Sequence, residues 1–348
     1  LRKLNFKSNI SLNTKDFRIT NAELIFDSSR VVGNAIFAVQ KRLSFGASII
    51  IDKLNLDGYF KKDSAENVGK KKSTGKSKKT LSANENKTFE ANGAHHQNYK
   101  MFGDIFSKLL LLKKFDANIN IKANSLIYRE HTVKNVYFDG LLHNGNLEIR
   151  HFKIPKFGSL RTSVKGQIKN IGSELEIKDL NIKAHTNSIR QIFKFLNIPA
   201  PIYTKKLKKT NLTATLNGDI QKLGLKAQVG IGDTKVQLSG HLEPFNKQKL
   251  SELAVRITDQ NFNRMLRRFN FVYQPRKKVG QLKIAAILRV QKNKFVIKDL
   301  NGNLGQVDLQ GDVLINLSDS RPYIDWRINA GDINLNSYLE VVETLSEE

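Results

Sequence analysis

Short segments that read as single amphipathic helical turns recur along the chain at a fixed interval. They begin at Ser188, Asn261 and Asn334, 73 residues apart each time. Ile189, Phe262 and Leu335 correspond, as do Ile192, Met265 and Tyr338 three residues on, and Leu196, Phe269 and Val342 seven residues on. Apolar side chains at i, i+3 and i+7 make the buried stripe of a helix, and Ser and Asn are helix N-cap residues. A second marker keeps step. Val164-Lys165-Gly166, Leu238-Ser239-Gly240 and Leu309-Gln310-Gly311 each close an alternating run, with glycines 74 and 71 residues apart. Each unit therefore reads as strand, strand, strand with a late glycine, strand, helix. In the last unit these fall at 281–291, 294–304, 306–316, 323–330 and 335–343. The N-terminal block fits the same plan, with Gly33 after Val31-Val32, and 45–52 leading into 54–60. Four units result, at 1–60, 101–198, 199–271 and 272–348, with 61–100 inserted after the first. Such a unit cannot cover its own apolar face, so neighbours must join into one structure.

Between the helical segments, period-2 alternation dominates. Leu212, Ala214 and Leu216 fall on one face, with Thr213 and Thr215 on the other. Ala117 to Ala123, Leu253 to Ile257, Leu282 to Leu288 and Ile324 to Ala330 alternate in the same way. This is the signature of half-buried antiparallel strands. Asn144-Gly145, Asn217-Gly218, Gly232-Asp233 and Asn301-Gly302 supply turn signals between runs. The fold class is mainly β: repeated antiparallel-strand units with short amphipathic helices, forming a long curved sheet or groove. Glycines inside strands suggest bulges or bends that curve it. A curved sheet with one apolar face either closes into a packed sandwich or barrel, or stays open as a groove that needs an apolar ligand. If the strands pair in chain order, the groove is about 80–100 Å long.

Composition narrows the partners. The 348 residues carry 58 Lys+Arg against 32 Asp+Glu, a net charge of +26, and no Cys. Disulfides, thiolate metal sites and cysteine nucleophiles are thereby excluded. Nucleic acid, anionic lipid head groups or lipopolysaccharide would suit the charge. Nucleic acid is set aside, because Lys is spread through every strand and is not clustered with stacking aromatics. The 61–98 stretch, with Lys70-Lys71-Lys72 and Lys78-Lys79, has almost no apolar periodicity and reads as a disordered insertion. No window approaches the roughly 18–20 apolar residues of a spanning helix. The 101–114 stretch, with Phe102, Ile105, Phe106 and Leu109, reads as a helix packing on the sheet where the second unit begins. The chain opens on Leu1-Arg2-Lys3 without an initiator Met, as expected of a piece of a longer protein.

No constellation for chemistry emerges. His95-His96 lie in the basic segment without a third ligand, and His131, His143, His151, His185 and His241 are scattered over different strands and turns. The 69–77 stretch, Gly-Lys-Lys-Lys-Ser-Thr-Gly-Lys-Ser, loosely matches a phosphate loop but lacks the preceding strand and following helix. Asp52, Asp259 and Asp332 occupy equivalent repeat positions, which points to a turn or capping role. The reading is of a protein that is not an enzyme and uses no metal or cofactor.

Four stretches resemble the AsmA family of Gram-negative envelope proteins: 112–140; Gly145-Asn146-Leu147-Glu148-Ile149 running on to Gly158 and Gly166; 253–268; and Leu300-Asn301-Gly302-Asn303-Leu304-Gly305 through Gly311. Each motif is degenerate, and their order and period carry the likeness. The resemblance implies a long β-groove with an apolar interior, in the periplasm, held by an N-terminal inner-membrane helix that this sequence lacks. It implies a role in outer-membrane biogenesis, with phospholipid conducted between inner and outer membranes. Anionic membrane surfaces and envelope proteins are the expected further partners. The charge of the 61–100 insertion departs from the family pattern. Candidate lining positions are Leu160, Val164, Leu212, Leu216, Val236, Leu238, Val255, Ile257, Ile284, Leu288, Val307, Leu309, Ile324, Trp326 and Ile328. The competing reading is a closed β-repeat scaffold that organises envelope assembly proteins and carries no lipid.

Overall fold

The computed structural model describes residues 4–39, 41–58, 110–128, 131–196, 204, 207–244, 250–318, 321 and 323–339. The expected basic insertion, and the 101–109 part of the expected helix, lie outside them. Seventeen strands make one sheet that is not closed into a barrel. The first unit supplies β1 (Leu4–Leu12), β2 (Asp16–Phe26), β3 (Ser29–Val39) and β4 (Leu43–Asn55). The second supplies five strands, β5 (Phe115–Tyr128), β6 (His131–His143), β7 (Asn146–Phe157), β8 (Leu160–Lys169) and β9 (Glu176–Thr186), then α1 (Ile189–Leu196). The third has β10 (Thr210–Asp219), β11 (Leu223–Ile231), β12 (Thr234–Leu242), β13 (Ser251–Asp259) and α2 (Phe262–Arg268). The fourth has β14 (Leu282–Gln291), β15 (Lys294–Leu304), β16 (Val307–Asn316), β17 (Tyr323–Ala330) and α3 (Leu335–Tyr338).

Every strand pairs with its successor in the chain, and all joints but one are antiparallel. The exception is β4 on β5, which run parallel with Leu43 opposite Phe115 and Asn55 opposite Ile127. A parallel pair cannot be joined by a tight turn, because the chain must return the length of a strand. The basic insertion therefore falls at the one joint where a long connection is required. Seventeen strands at about 4.8 Å spacing span about 77 Å, slightly below the expected length.

The fourth unit matches its expected strands to within a residue, but α3 is one turn long and ends before Leu339, not at 343. In the first unit, 45–52 and 54–60 are not two elements. β4 runs on through Asn55 into a 3-10 turn at Leu56–Gly58. At the start of the second unit, Leu110–Lys113 is a 3-10 turn. Of the three expected caps, the Asn261 side chain accepts from Arg264 N at 2.9 Å, whereas Asn334 makes no side-chain cap bond.

All three helices lie at the same rim of the sheet, where each folds back on a hairpin of its own unit. In the second unit Gln191 Oε1 accepts from Ser159 N and from Ser159 Oγ, both at 2.8 Å. In the third, Arg268 reaches Asp233 and Asp259, and the buried Asp259 carboxylate also accepts from Thr234 Oγ1 at 2.5 Å and Asn261 N at 2.7 Å. In the fourth, Tyr338 Oη donates to Leu304 O at 3.2 Å. Asp259 is thus the structural residue that its repetition suggested, although its counterpart Asp332 is exposed. The hairpin glycine beneath each helix, Gly158, Gly232 or Gly305, has φ near +60°, and Cβ atoms at the first two would strike Gln191 and Arg268.

Gly140, Gly166 and Gly218 sit at register shifts, as expected of bulges, but Gly240 acts differently. Gly240 stays in unbroken register with both neighbours. There φ is +152°, and a Cβ would sit 2.2 Å from Glu252 O, so only glycine lets the neighbouring backbone come this close. The ladder shifts register beside Asn21, Asp179 and Asp299, each in the left-handed region with φ near +50°. Short polar side chains tolerate that conformation and reset which residues face which side. Gly240→Val should cost about 2 kcal/mol or more through clash and strain. Gly230→Ala, whose Cβ meets nothing within 4 Å, should change stability by less than about 0.5 kcal/mol. Paired denaturant titrations followed by far-UV circular dichroism check both.

Candidate functional site

Directly opposed residues in a sheet share a face, so the register alone sorts the side chains. One row runs Gly33, Ile49, Ile121, Phe138, Phe152, Val164, Ile182, Ala214, Ala227, Leu238, Val255 and Ala286, each opposite the next. A second runs Leu216, Leu225, Gly240, Leu253, Leu288, Ile297, Val313 and Trp326. A third, Leu212, Val229, Val236, Ile257, Ile284, Gly302, Leu309 and Ala330, lies on the other side of the first. The first unit extends this face with Phe17, Phe37 and Phe45, whose tilted rings lie 6.0 and 4.9 Å apart between centroids. An apolar surface thus crosses the sheet from edge to edge with no charged residue in these rows.

The register puts all fifteen expected lining positions on this one face. Most are half-buried in the sheet's own surface, and Ile324, Trp326 and Ile328 are well exposed. Leu160 and Val307 do not belong to an open lining. Both are buried at the helix rim, and Leu160 packs with Val133, Ile154 and Phe157, with Ile192 of α1 against that cluster. At the opposite rim Ala117, Leu142 and Ile171 pack with Leu112, Phe115 and Leu147. These two clusters, one at each end of the strands, border the apolar surface across β5–β9. Among the described residues 17 apolar side chains are buried while 19 large ones are exposed. That balance fits a single layer with no second sheet behind it.

The other face is polar and basic. Its central row reads Lys122, Tyr137, Lys153, Ser163, Lys183, Thr213, Gln228, Gln237, Arg256 and Ala285. The Lys122 ammonium lies 6.0 Å over the Tyr137 ring. Here the sheet forms a shallow hollow of about 700 Å³ across β9–β15. Small residues such as Thr213, Ser239, Ala254 and Ala285 make its floor, and Lys183, Lys226 and Arg256 rise around it. A smaller hollow of about 400 Å³ lies on the same face between Arg18, Asn34, Ser48 and Arg150. A twisted sheet is saddle-shaped, so each face is concave along one diagonal. These hollows on the basic face were not anticipated from the sequence, which gave the alternation but not the side-chain heights.

Two acidic residues on this face are held by several partners each. Asp139 pairs with Arg150 at 2.5 Å, and Asp116 takes Arg42 Nε at 3.0 Å, Asn144 N at 2.9 Å and His143 Nδ1 at 3.0 Å. Arg42 also donates to Lys113 O at 2.5 Å, so this cluster fastens the parallel joint between β4 and β5. The Asn144 amide, and after it Arg42, hold the Asp116 carboxyl below the usual carboxylate range. By contrast Lys183, Lys226 and Arg256 form no ion pair among the described residues. No group of three or more His, Asp or Glu able to hold a metal occurs among the described residues, and no described helix is long and apolar enough to cross a membrane.

Comparison of the chain with protein-family models, curated proteins and solved structures returns no match. The functional reading therefore rests on the two faces alone.

Because the folded state lowers the Asp116 pKa, this group stabilises the fold above its unfolded pKa of about 3.9, and the contribution fades as pH falls through the lower folded value. Asp116→Asn should lower stability at pH 7 and flatten its fall between about pH 5 and pH 2. Thermal midpoints of the two proteins across that range test this, and parallel curves would show that the contacts of Asp116 add nothing.

Proposed function

We propose that the chain is an AsmA-like periplasmic protein of outer-membrane biogenesis, which holds phospholipid acyl chains against its apolar face and conducts them between inner and outer membranes. The observation that supports this reading most directly is the edge-to-edge apolar surface on a sheet that stays open. A closed scaffold would bury such a surface against itself, and no second layer covers it among the described residues.

The physical demand is clear. A chain of about 16 carbons in water forgoes on the order of 13 kcal/mol of hydrophobic stabilisation, at about 0.8 kcal/mol per CH₂. An apolar strip that shields the chain along its path removes most of that barrier and requires no reactive group. The strands run from eight to fourteen residues, and the commonest lengths, nine to eleven, give a face about 30 Å wide at about 3.3 Å per residue. That width is about the thickness of a bilayer's hydrocarbon core, so the acyl chains of one leaflet fit across it with the head group at a rim. On this reading the protein is not an enzyme and needs no cofactor. The basic opposite face suits anionic membrane surfaces, to which each nearby Lys or Arg adds roughly 1 kcal/mol of attraction.

Native mass spectrometry with lipid extraction, in high salt, tests the reading. The wild-type chain should carry phospholipid, and Leu238→Asp or Ile284→Asp should lose most of it. Gln237→Asp, one residue away but on the polar face, should keep it. Equal loading in all variants would sink the assignment of the face, and a stable lipid-free wild-type chain would favour the scaffold.

A further inference from the structure

Among the described residues the sheet ends in two unpaired edges, β1 and β17, and both are unusually apolar for exposed strands. Phe6 and Ile10 on β1 are 52% and 61% exposed, and Ile324 and Trp326 on β17 are 58% and 67% exposed. Free edges carry rows of unmatched N–H and C=O groups and invite pairing with another strand.

These two edges are the two halves of a joint that the molecule already makes twice. β17 is the last strand of its unit, as are β9 and β13. At intervals of 73 residues Ile328 takes the place of Val255 and Ile182, which face Ala286 of β14 and Ala214 of β10. β1 is the first strand of its unit, as is β10. The tight strand glycines align the two units, since Cβ atoms at Gly33 and Gly240 would each lie 2.2 Å from a carbonyl of the next strand. Two residues before those glycines, Val31 faces Leu24 and Leu238 faces Ala227. Leu24 in turn faces Phe6, and Ala227 faces Ala214. Phe6 is therefore the counterpart of Ala214, the residue that opposes Ile182 at the β9–β10 joint.

We infer that a second copy of this chain docks head to tail, with β1 of one molecule pairing antiparallel with β17 of the next and Phe6 opposite Ile328. The strand directions allow it. With all joints antiparallel except β4–β5, β1 and β17 run in opposite senses when two copies stand side by side with their apolar faces on the same side. The contact is heterologous, so it propagates from copy to copy into a filament or a ring. It joins the apolar faces into one longer surface. The pairing uses backbone edges and does not require that the face carry lipid, so it can hold or fail independently of the transport reading.

The chain has no Cys and a single Trp, Trp326, on the edge in question, which makes the test clean. Phe6→Cys and Ile328→Cys chains are mixed and treated with a short bifunctional thiol reagent. A crossed Phe6→Cys/Ile328→Cys dimer should dominate over either like pair. Trp326 emission should shift to the blue as wild-type concentration rises, with larger species in light scattering. Ile328→Lys alters an exposed residue and should leave the circular dichroism spectrum unchanged while abolishing the larger species. The inference is overturned if the wild-type chain stays monomeric with constant Trp326 emission at every concentration, or if like pairs exceed the crossed dimer.

Discussion

The backbone ladder between consecutive strands is the constraint on which everything else here depends. In a two-layer domain the core can correct a weak register, because side chains from the second layer fill only one arrangement. A single layer has no such partner. Its apolar rows exist only because each strand meets the next with the same parity, and a slip of one residue would turn a whole strand's apolar set to the basic side. The register shifts beside Asn21, Asp179 and Asp299 therefore matter more than their small size suggests. After each, the parity of the bulged strand changes and the apolar residues still return to the common face, as Ile177 does opposite Gly218 and Ile168.

Repetition supplies what a second layer would otherwise give. Each helix holds the rim of its own unit, but through different chemistry: an amide in the second unit, an arginine between two aspartates in the third, a tyrosine hydroxyl in the fourth. The position is retained while the side chains change. A buried carboxylate such as Asp259 is tolerable only because a cation, a hydroxyl and a backbone amide meet it at once. This variety also explains why the repeat shows in the spacing of Gly and apolar residues and not in matched polar motifs.

Much of this was legible in the sequence, for identifiable reasons. Strand positions followed from period-2 alternation, which is a local property. In the fourth unit the boundaries at Gln291, Lys294, Leu304 and Asn316 agree with the structure, but the expected turns at Asn301-Gly302 and Asn217-Gly218 lie inside β15 and β10, where the ladder continues through them. The shared face of the lining positions followed from the same alternation. What escaped was non-local. That Leu160 and Val307 sink into the helix rim depends on what packs over them. That β4 meets β5 in parallel depends on a partner far along the chain. The basic hollow depends on long side chains from several strands rising around small ones, and no single strand contains that information.

The parallel seam carries a consequence for assembly. At most other joints strands meet across short connections, and even the two that carry α1 and α2 span only 23 and 22 residues, so closing each one costs little chain entropy. At β4–β5 the partners Leu43 and Phe115 are 72 positions apart along the chain. Contacts of long sequence span form late, since the chain is ordered before the contact repays it. The topology therefore predicts an N-terminal foldon of four strands and a C-terminal one of thirteen, each able to zip up locally, with their union as the slow and final event. Parting the sheet along the same line would leave two pieces that each keep their own pairing, and it is this seam that the Arg42–Asp116 cluster holds shut.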